Sequence, residues 1–157
     1  MVNGLSVNSS SSSGARMFVY HHVVGAADPA TYNWALGLTV KWGGGITAYR
    51  GVNTATPLDA AVVTAVDASY TAAAITVPSI TTSSNGAMLI GGIGFDSGTP
   101  GTTAPSGWTE HWEAGGGQIA EFAARTQASA GATGPATWTF ATVKGSGAWR
   151  TALKPAG

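Results

Sequence analysis

The sequence predicts an all-β protein, a two-sheet β-sandwich of jelly-roll type built from two related halves. Three observations lead to this fold class. Short apolar and aromatic runs alternate with Gly, Pro, Asn and Ser, the pattern of strands and turns. No long segment has the helical period. An aromatic motif of eleven residues near the N-terminus recurs in the C-terminal part of the chain.

The elements follow from these runs in chain order. Residues 1–15 are polar and rich in Ser, which predicts a flexible N-terminal arm ahead of a single sandwich domain over residues 16–157. The run Ala87–Phe95 has no charge on either face, as expected of a central strand covered on both sides. Pro57–Val63 is the one helical candidate, interpreted as a short turn or a loop crossing. The predicted strands are Arg16–Val24, Thr31–Val40, Gly45–Val52, Ala73–Val77, Ala87–Phe95, Gly107–Trp112, Gln118–Gln127, Ala136–Val143 and Ala148–Lys154.

The repeat relates Gly25–Ala35 to Gly131–Ala141, which share Gly-Ala, Pro-Ala-Thr and two aromatic residues spaced by two. That spacing places both rings on one face of a strand. We therefore expect two half-domains whose aromatic strands face each other across one core. The predicted core is Phe18, Tyr32, Trp34, Leu89, Phe122, Trp138, Phe140 and Trp149.

Composition excludes several function classes. The chain has 157 residues, seven basic and seven acidic side chains and no cysteine. Zero net charge argues against nucleic acid and against an anionic membrane surface, both of which attract clustered basic residues. Ala, Gly, Thr and Ser make up more than half of the residues, and such an uncharged surface suits a protein packed against copies of itself or a partner. The N-terminus lacks the features of a signal peptide, so we expect assembly in a host cytoplasm.

The few titratable residues do not form a catalytic or metal-binding pattern. Glu110 and Glu113 are expected on opposite faces of a strand, and adjacent His21 and His22 diverge. The triple glycines Gly43–Gly45 and Gly115–Gly117 lack a phosphate-binding Lys and are interpreted as hairpin turns. The sequence thus predicts no enzyme, no catalytic residue, no cofactor and no metal.

Six parts of the chain share one further property, and they are Tyr20, Pro29–Trp34, Ala48–Val52, Pro57–Asp59, Ala104–Glu110 and Ala152–Pro155. In this order they resemble a β-sandwich domain that is frequent in phage tail-associated proteins and bacterial surface proteins. The resemblance covers residues 4–156 and implies no catalytic residues. The family domain opens with two further strands, of which only Gly4–Val7 remains here.

These observations predict a non-enzymatic structural virion protein, either a capsid decoration or a tail-associated subunit, with copies of itself and other virion proteins as partners. The alternative is an extracellular, lectin-like carbohydrate-binding module, with Trp42, Trp108 and Trp112 as candidate contacts for a glycan or a partner. Because the N-terminal strands of the family domain are missing, we expect a sheet edge without a neighbouring strand. In one alternative, residues 1–8 of a neighbouring subunit pair with this edge, which the flexible connector Ser9–Gly14 would allow. In the other alternative, the shortened half rearranges locally and closes on itself.

Overall fold

A computed structural model describes residues 3–8, 16–37, 39–68 and 71–157, and these residues form twelve strands and no helix. The all-β prediction is therefore confirmed. The described part of the chain also contains no helix long and apolar enough to cross a membrane. The strands are β1 (Asn3–Asn8), β2 (Arg16–His21), β3 (Leu58–Asp67), β4 (Ala74–Val77), β5 (Thr81–Thr82), β6 (Ala87–Phe95), β7 (Thr102–Thr103), β8 (Thr109–Gly115), β9 (Ile119–Gln127), β10 (Gly131–Ala132), β11 (Ala136–Phe140) and β12 (Ser146–Leu153).

A five-stranded antiparallel sheet, in the order β3-β12-β6-β9-β8, is the largest element. Strand β6 is its middle strand, and it has the bounds that the sequence predicts, Ala87–Phe95. Eight of its nine residues are buried. Because both faces of this strand are covered by other parts of the protein, it contains no charged residue and no alternation of apolar and polar residues.

One face of the large sheet packs against the three-stranded sheet β4-β11-β7. Trp138 and Phe140 of β11 enter the shared core beside Ile93 and Phe95 of β6. The rings of Phe95 and Phe140 stack with centroids 4.9 Å apart. Alternation along β11 is strict, with Ala136, Trp138 and Phe140 buried and the two intervening threonines exposed. The period-two pattern of this strand therefore places its aromatic rings inward.

The other face carries a second apolar cluster around Phe122 and Trp149. Met17 and Val19 of β2 pack on this cluster from the β1–β2 hairpin. Gly94 of β6 lies beneath Met17, close enough that a Cβ there would lie in van der Waals contact with the Met17 sulfur at 3.4 Å. Strand β1 comes from the predicted arm and pairs with β2 over its full length, from Asn3–His21 to Asn8–Arg16. The predicted connector Ser9–Gly14 lies outside the described residues.

Three predicted elements are wrong. The described residues of Thr31–Val40 contain no strand, and Gly45–Val52 contributes only an isolated bridge from Val52 to Pro155. A strand needs a hydrogen-bonded neighbour, and no described strand pairs with either segment. Pro57–Val63, the helical candidate, begins strand β3 instead. One turn of helix is costly to nucleate alone, whereas β-branched Val62 and Val63 favour a strand.

The two triple glycines have different roles. Gly115–Gly117 connects β8 to β9, as the hairpin prediction requires. Gly43–Gly45 is not a hairpin turn, which corrects the prediction. A Cβ at Gly43 would lie 2.5 Å from the Gln118 carbonyl oxygen, and one at Gly45 would lie 2.7 Å from the Trp112 ring. The absence of side chains therefore lets this segment lie directly against the β8–β9 hairpin.

Candidate functional site

Exposed aromatic rings of β2 form the most unusual surface of the protein. Phe18 and Tyr20 alternate with the buried-side residues Met17 and Val19, so their rings point outward. Phe18 is 54% exposed, and its ring lies nearly parallel to that of Tyr20, with centroids 6.4 Å apart and an interplanar angle of 8°. Together these two residues form an exposed aromatic pair.

The irregular segment after β2 extends this aromatic pair. The Trp34 ring lies 5.3 Å from Tyr20 and is 55% exposed, and Tyr32 contacts His22 edge-on at 6.3 Å. We call these five residues, Phe18, Tyr20, His22, Tyr32 and Trp34, the aromatic surface. Exposed apolar side chains also concentrate in this part of the sequence. Of the thirteen large hydrophobic residues that are exposed in the described chain, ten lie between residues 18 and 46.

Three residues that were predicted to lie in the core belong to the aromatic surface instead. Leu89, Phe122, Trp138, Phe140 and Trp149 are buried as expected. Phe18, Tyr32 and Trp34 are exposed. Tyr32 and Trp34 belong to the first copy of the repeat, and their counterparts Trp138 and Phe140 lie in the core. The second copy forms a strand between β4 and β7, whereas the described residues of the first copy have no pairing partner. The two copies therefore do not face each other across one core.

The three tryptophans predicted to contact a glycan or a partner lie in different environments. Trp42 is 56% exposed. Trp108 is half-buried and packs edge-on against Trp138, with centroids 5.6 Å apart. Trp112 stacks on Phe122 at 5.9 Å and donates its Nε1 hydrogen to Thr47 Oγ1 at 2.9 Å. Among the described residues no ring contact joins these three to one another. Only Trp42 presents most of its ring to solvent.

A β-bulge changes the predicted geometry of the acidic residues on β8. The register passes from Glu110 opposite Ala123 to Trp112 opposite Phe122 and Glu113 opposite Glu121. The extra residue places Glu110 and Glu113 on the same face, which corrects the expectation of opposite faces. Glu113 accepts hydrogen bonds from the backbone amides of Gly101 and Thr102 and from the Thr102 hydroxyl. Its carboxylate thus anchors the start of β7 and serves a structural role.

Glu121 is the buried acid of the core. Its side chain is 2% exposed, and its Oε2 accepts a hydrogen bond from Trp138 Nε1 at 2.6 Å. Its Oε1 is buried without a hydrogen-bond partner. Burial, with the nearby carboxylates of Glu110 and Glu113, raises the pKa of Glu121 to about 8. Glu121 is therefore a neutral acid at pH 7, and its enclosed position keeps it away from any substrate.

Arg150 is the buried base, and it lies on the same face of the large sheet. Its Nη2 donates to the Gly134 carbonyl at 2.5 Å. Arg125 donates to the neighbouring Thr133 carbonyl at 3.3 Å. Burial, and then the charge of Arg125, lowers the pKa of Arg150 to about 10. The two guanidinium groups hold the loop between β10 and β11 against the large sheet.

The other polar groups of the described residues lie in separate local contacts. His22 Nε2 is hydrogen-bonded to Asp28 Oδ1 at 2.8 Å on the surface, and hydrogen bonds from the Gly25 amide and His22 lower the pKa of Asp28. No group of three or more metal-ligating side chains occurs in the searched, described residues. An open cleft of about 480 Å³ lies apart from the aromatic surface, and its lining includes Lys41, Asp96 and Lys144.

Comparison of the chain with protein-family models, with curated proteins and with solved structures finds no match in any of the three.

Proposed function

We propose that the protein is a non-enzymatic structural subunit of a virion, a capsid-decorating or tail-associated protein that assembles with copies of itself and with other particle proteins. The aromatic surface carries this proposal. Phe18 and Trp34 are each more than half exposed, both contact the exposed ring of Tyr20, and the same part of the chain also exposes Val24 and Leu36. Soluble monomers rarely expose a large contiguous apolar patch, whereas interaction surfaces do.

Charge supports the same function. Only 9% of the residues are charged, so the surface has few groups that would keep free monomers apart. Aromatic side chains, in contrast, are enriched at the centres of protein interfaces, where burial of a ring contributes strongly to affinity. The resemblance to phage tail-associated domains suggests the class of particle. The jelly-roll arrangement of two related halves, predicted from the repeat, stays a prediction alongside this proposal.

Glycan binding is the second candidate function, and one observation favours it. The exposed rings of Phe18, Tyr20 and Trp34 lie beside one another and offer aromatic surface on which a sugar ring could stack. These rings would replace the predicted trio of Trp42, Trp108 and Trp112, of which two are packed into the protein. A sugar requires hydrogen bonds as well as stacking, and His22, the polar member of the aromatic surface, is already hydrogen-bonded to Asp28. Assembly is therefore the better-supported function.

Two tryptophans of nearly equal exposure provide a matched test. Trp34→Ser removes a ring from the aromatic surface, and Trp42→Ser removes an equally exposed ring outside it. We expect Trp34→Ser, and more strongly the Phe18→Ser/Trp34→Ser double variant, to reduce assembly of the protein measured by light scattering. The circular dichroism spectrum should keep its strand content. Trp42→Ser should assemble like the wild type.

The same variants separate the two functions. If soluble glycans quench tryptophan fluorescence of the wild type but not of Trp34→Ser, and all variants have the same mass, the protein is a glycan-binding module and the assembly proposal is wrong. Equal loss of assembly in Trp34→Ser and Trp42→Ser would also contradict a role specific to the aromatic surface.

A further inference from the structure

One end of the five-stranded sheet brings three loops together. Strand β6 ends at Phe95, which lies opposite Ile119 at the start of β9 and Ser146 at the start of β12. The loops at this end join β6 to β7, β8 to β9 and β11 to β12, and they are residues 96–101, 116–118 and 141–145. All three line the open cleft of about 480 Å³. This volume lies within the range of about 300 to 1,000 Å³ that is typical of small-molecule sites.

Hydrogen bonds connect these loops to one another. Asp96 Oδ1 accepts a hydrogen bond from Gln118 Nε2 at 2.8 Å, and the Asp96 amide donates to the Gly145 carbonyl at 3.3 Å. Within the first loop, Ser97 Oγ accepts a hydrogen bond from the Thr99 amide at 3.2 Å. The walls of the cleft are therefore held in place before any ligand binds, which lowers the entropy cost of binding.

Two of the three lysines in the chain line this cleft. The aliphatic stem of Lys41 lies directly on the backbone of Gly117, since a Cβ there would be 2.5 Å from Lys41 Cδ. Lys144 is half-buried and belongs to the loop that precedes β12. Within the described ranges neither lysine forms an ion pair, so both ammonium groups are available to a ligand.

We propose that this cleft binds an acidic sugar, a saccharide unit that carries a carboxylate or a sulfate group. Lys41 and Lys144 pair with the anionic group. The hydroxyls of Thr99 and Thr142 and the carboxylate of Asp96, which line the same cleft, form hydrogen bonds with the sugar hydroxyls. The cleft shares no residue with the aromatic surface, so this binding is independent of the proposed assembly.

Asp96 distinguishes a sugar from a simple anion. Its Oδ2 has no hydrogen-bond partner in the described part of the chain. An ionised carboxylate only accepts hydrogen bonds, and it repels another anion. A sugar hydroxyl can donate to this oxygen, whereas a bare carboxylate or sulfate cannot. A ligand with both an acid group and hydroxyls therefore matches the whole lining, and a simple anion matches the two lysines alone.

Ligand-detected NMR titration with D-glucuronate and with a sulfated glucose tests this site. D-Glucose has the hydroxyls without the acid, and acetate has the acid without the hydroxyls. We expect at least one of the two acidic sugars to bind more tightly than both of these probes. Added salt should weaken that binding, because the ion pairs are partly exposed to solvent.

Matched lysine variants locate the site. Lys41→Gln and Lys144→Gln should each lower the association constant about fivefold, the loss expected when one exposed ion pair is removed. Lys154→Gln makes the same change after the other end of β12 and should bind like the wild type. Circular dichroism checks that all three variants keep their strand content.

Three results would overturn the inference. They are the absence of saturable binding of either acidic sugar, binding of acetate or glucose as tight as that of the acidic sugars, and a loss in Lys154→Gln equal to that in Lys41→Gln. Failure here is distinguishable from failure of the proposed function. Trp34→Ser should bind the acidic sugar like the wild type even where it reduces assembly, because Trp34 does not line the cleft.

Discussion

Trp138→Ala is expected to lower the free energy of unfolding by about 5 kcal/mol or more. Removal of a fully buried tryptophan costs about 3 to 5 kcal/mol through lost burial and the cavity that remains. The substitution also removes the donor that binds Glu121 Oε2, and a buried polar group without its partner costs a further ~1 to 3 kcal/mol. Denaturant unfolding followed by circular dichroism measures the loss.

Trp34→Ala is the matched control, because it makes the same chemical change on the aromatic surface. Trp34 is 55% exposed, so we expect a change within about 1 kcal/mol. If Trp138→Ala does not fold, Trp138→Phe keeps most of the ring and should still lose about 2 kcal/mol, because the hydrogen bond to Glu121 is absent. A cost at Trp34 comparable to that at Trp138 would contradict the exposed position of the first repeat copy.

Raising the pH is expected to destabilise the protein through Glu121. Folding raises the pKa of this carboxyl from 4.5 to about 8, so between these values the folded state retains a proton that the unfolded state has lost. The contribution is fully present below pH 4.5 and is lost as the pH rises toward 8, at about 1.4 kcal/mol for each pH unit. Denaturation at a series of pH values measures this slope.

Glu121→Gln should remove most of the slope, because the amide stays neutral and its oxygen still accepts the bond from Trp138. At pH 7 the variant should therefore be more stable than the wild type. Glu110→Gln removes one of the charges that raise the pKa of Glu121 but leaves burial, the larger cause, so this variant should retain most of the slope. A wild-type protein whose stability is flat between pH 5 and pH 8 would show that Glu121 is not a neutral buried acid.

The sequence predicts the interior strands well because each follows a hydrophobic pattern that is typical of a strand. Ala87–Phe95 is apolar at every position, and Ala136–Phe140 alternates strictly, so period and burial agree with the pairing that the structure shows. Strand β3 was missed because its alanines and valines have no period that distinguishes a short helix from a buried strand. Only its pairing with β12 determines its conformation.

The aromatic surface could not be predicted from residue type, since large aromatic residues are usually buried. The alternation of Phe18, Tyr20 and His22 indicates a shared face, but not whether that face is the inner or the outer one. Likewise, nothing in the spacing of Glu110 and Glu113 indicates the bulge that brings them to one face. Both features depend on what lies across the sheet, which is information that a local pattern does not contain.

The mass of the wild-type protein in solution tests the central claim, self-assembly, most directly. Sedimentation or light scattering over a wide range of protein concentration should give at least twice the chain mass of 15.6 kDa, with larger species as concentration rises. A mass of 15.6 kDa at every concentration would contradict the claim that this protein is an assembling structural subunit.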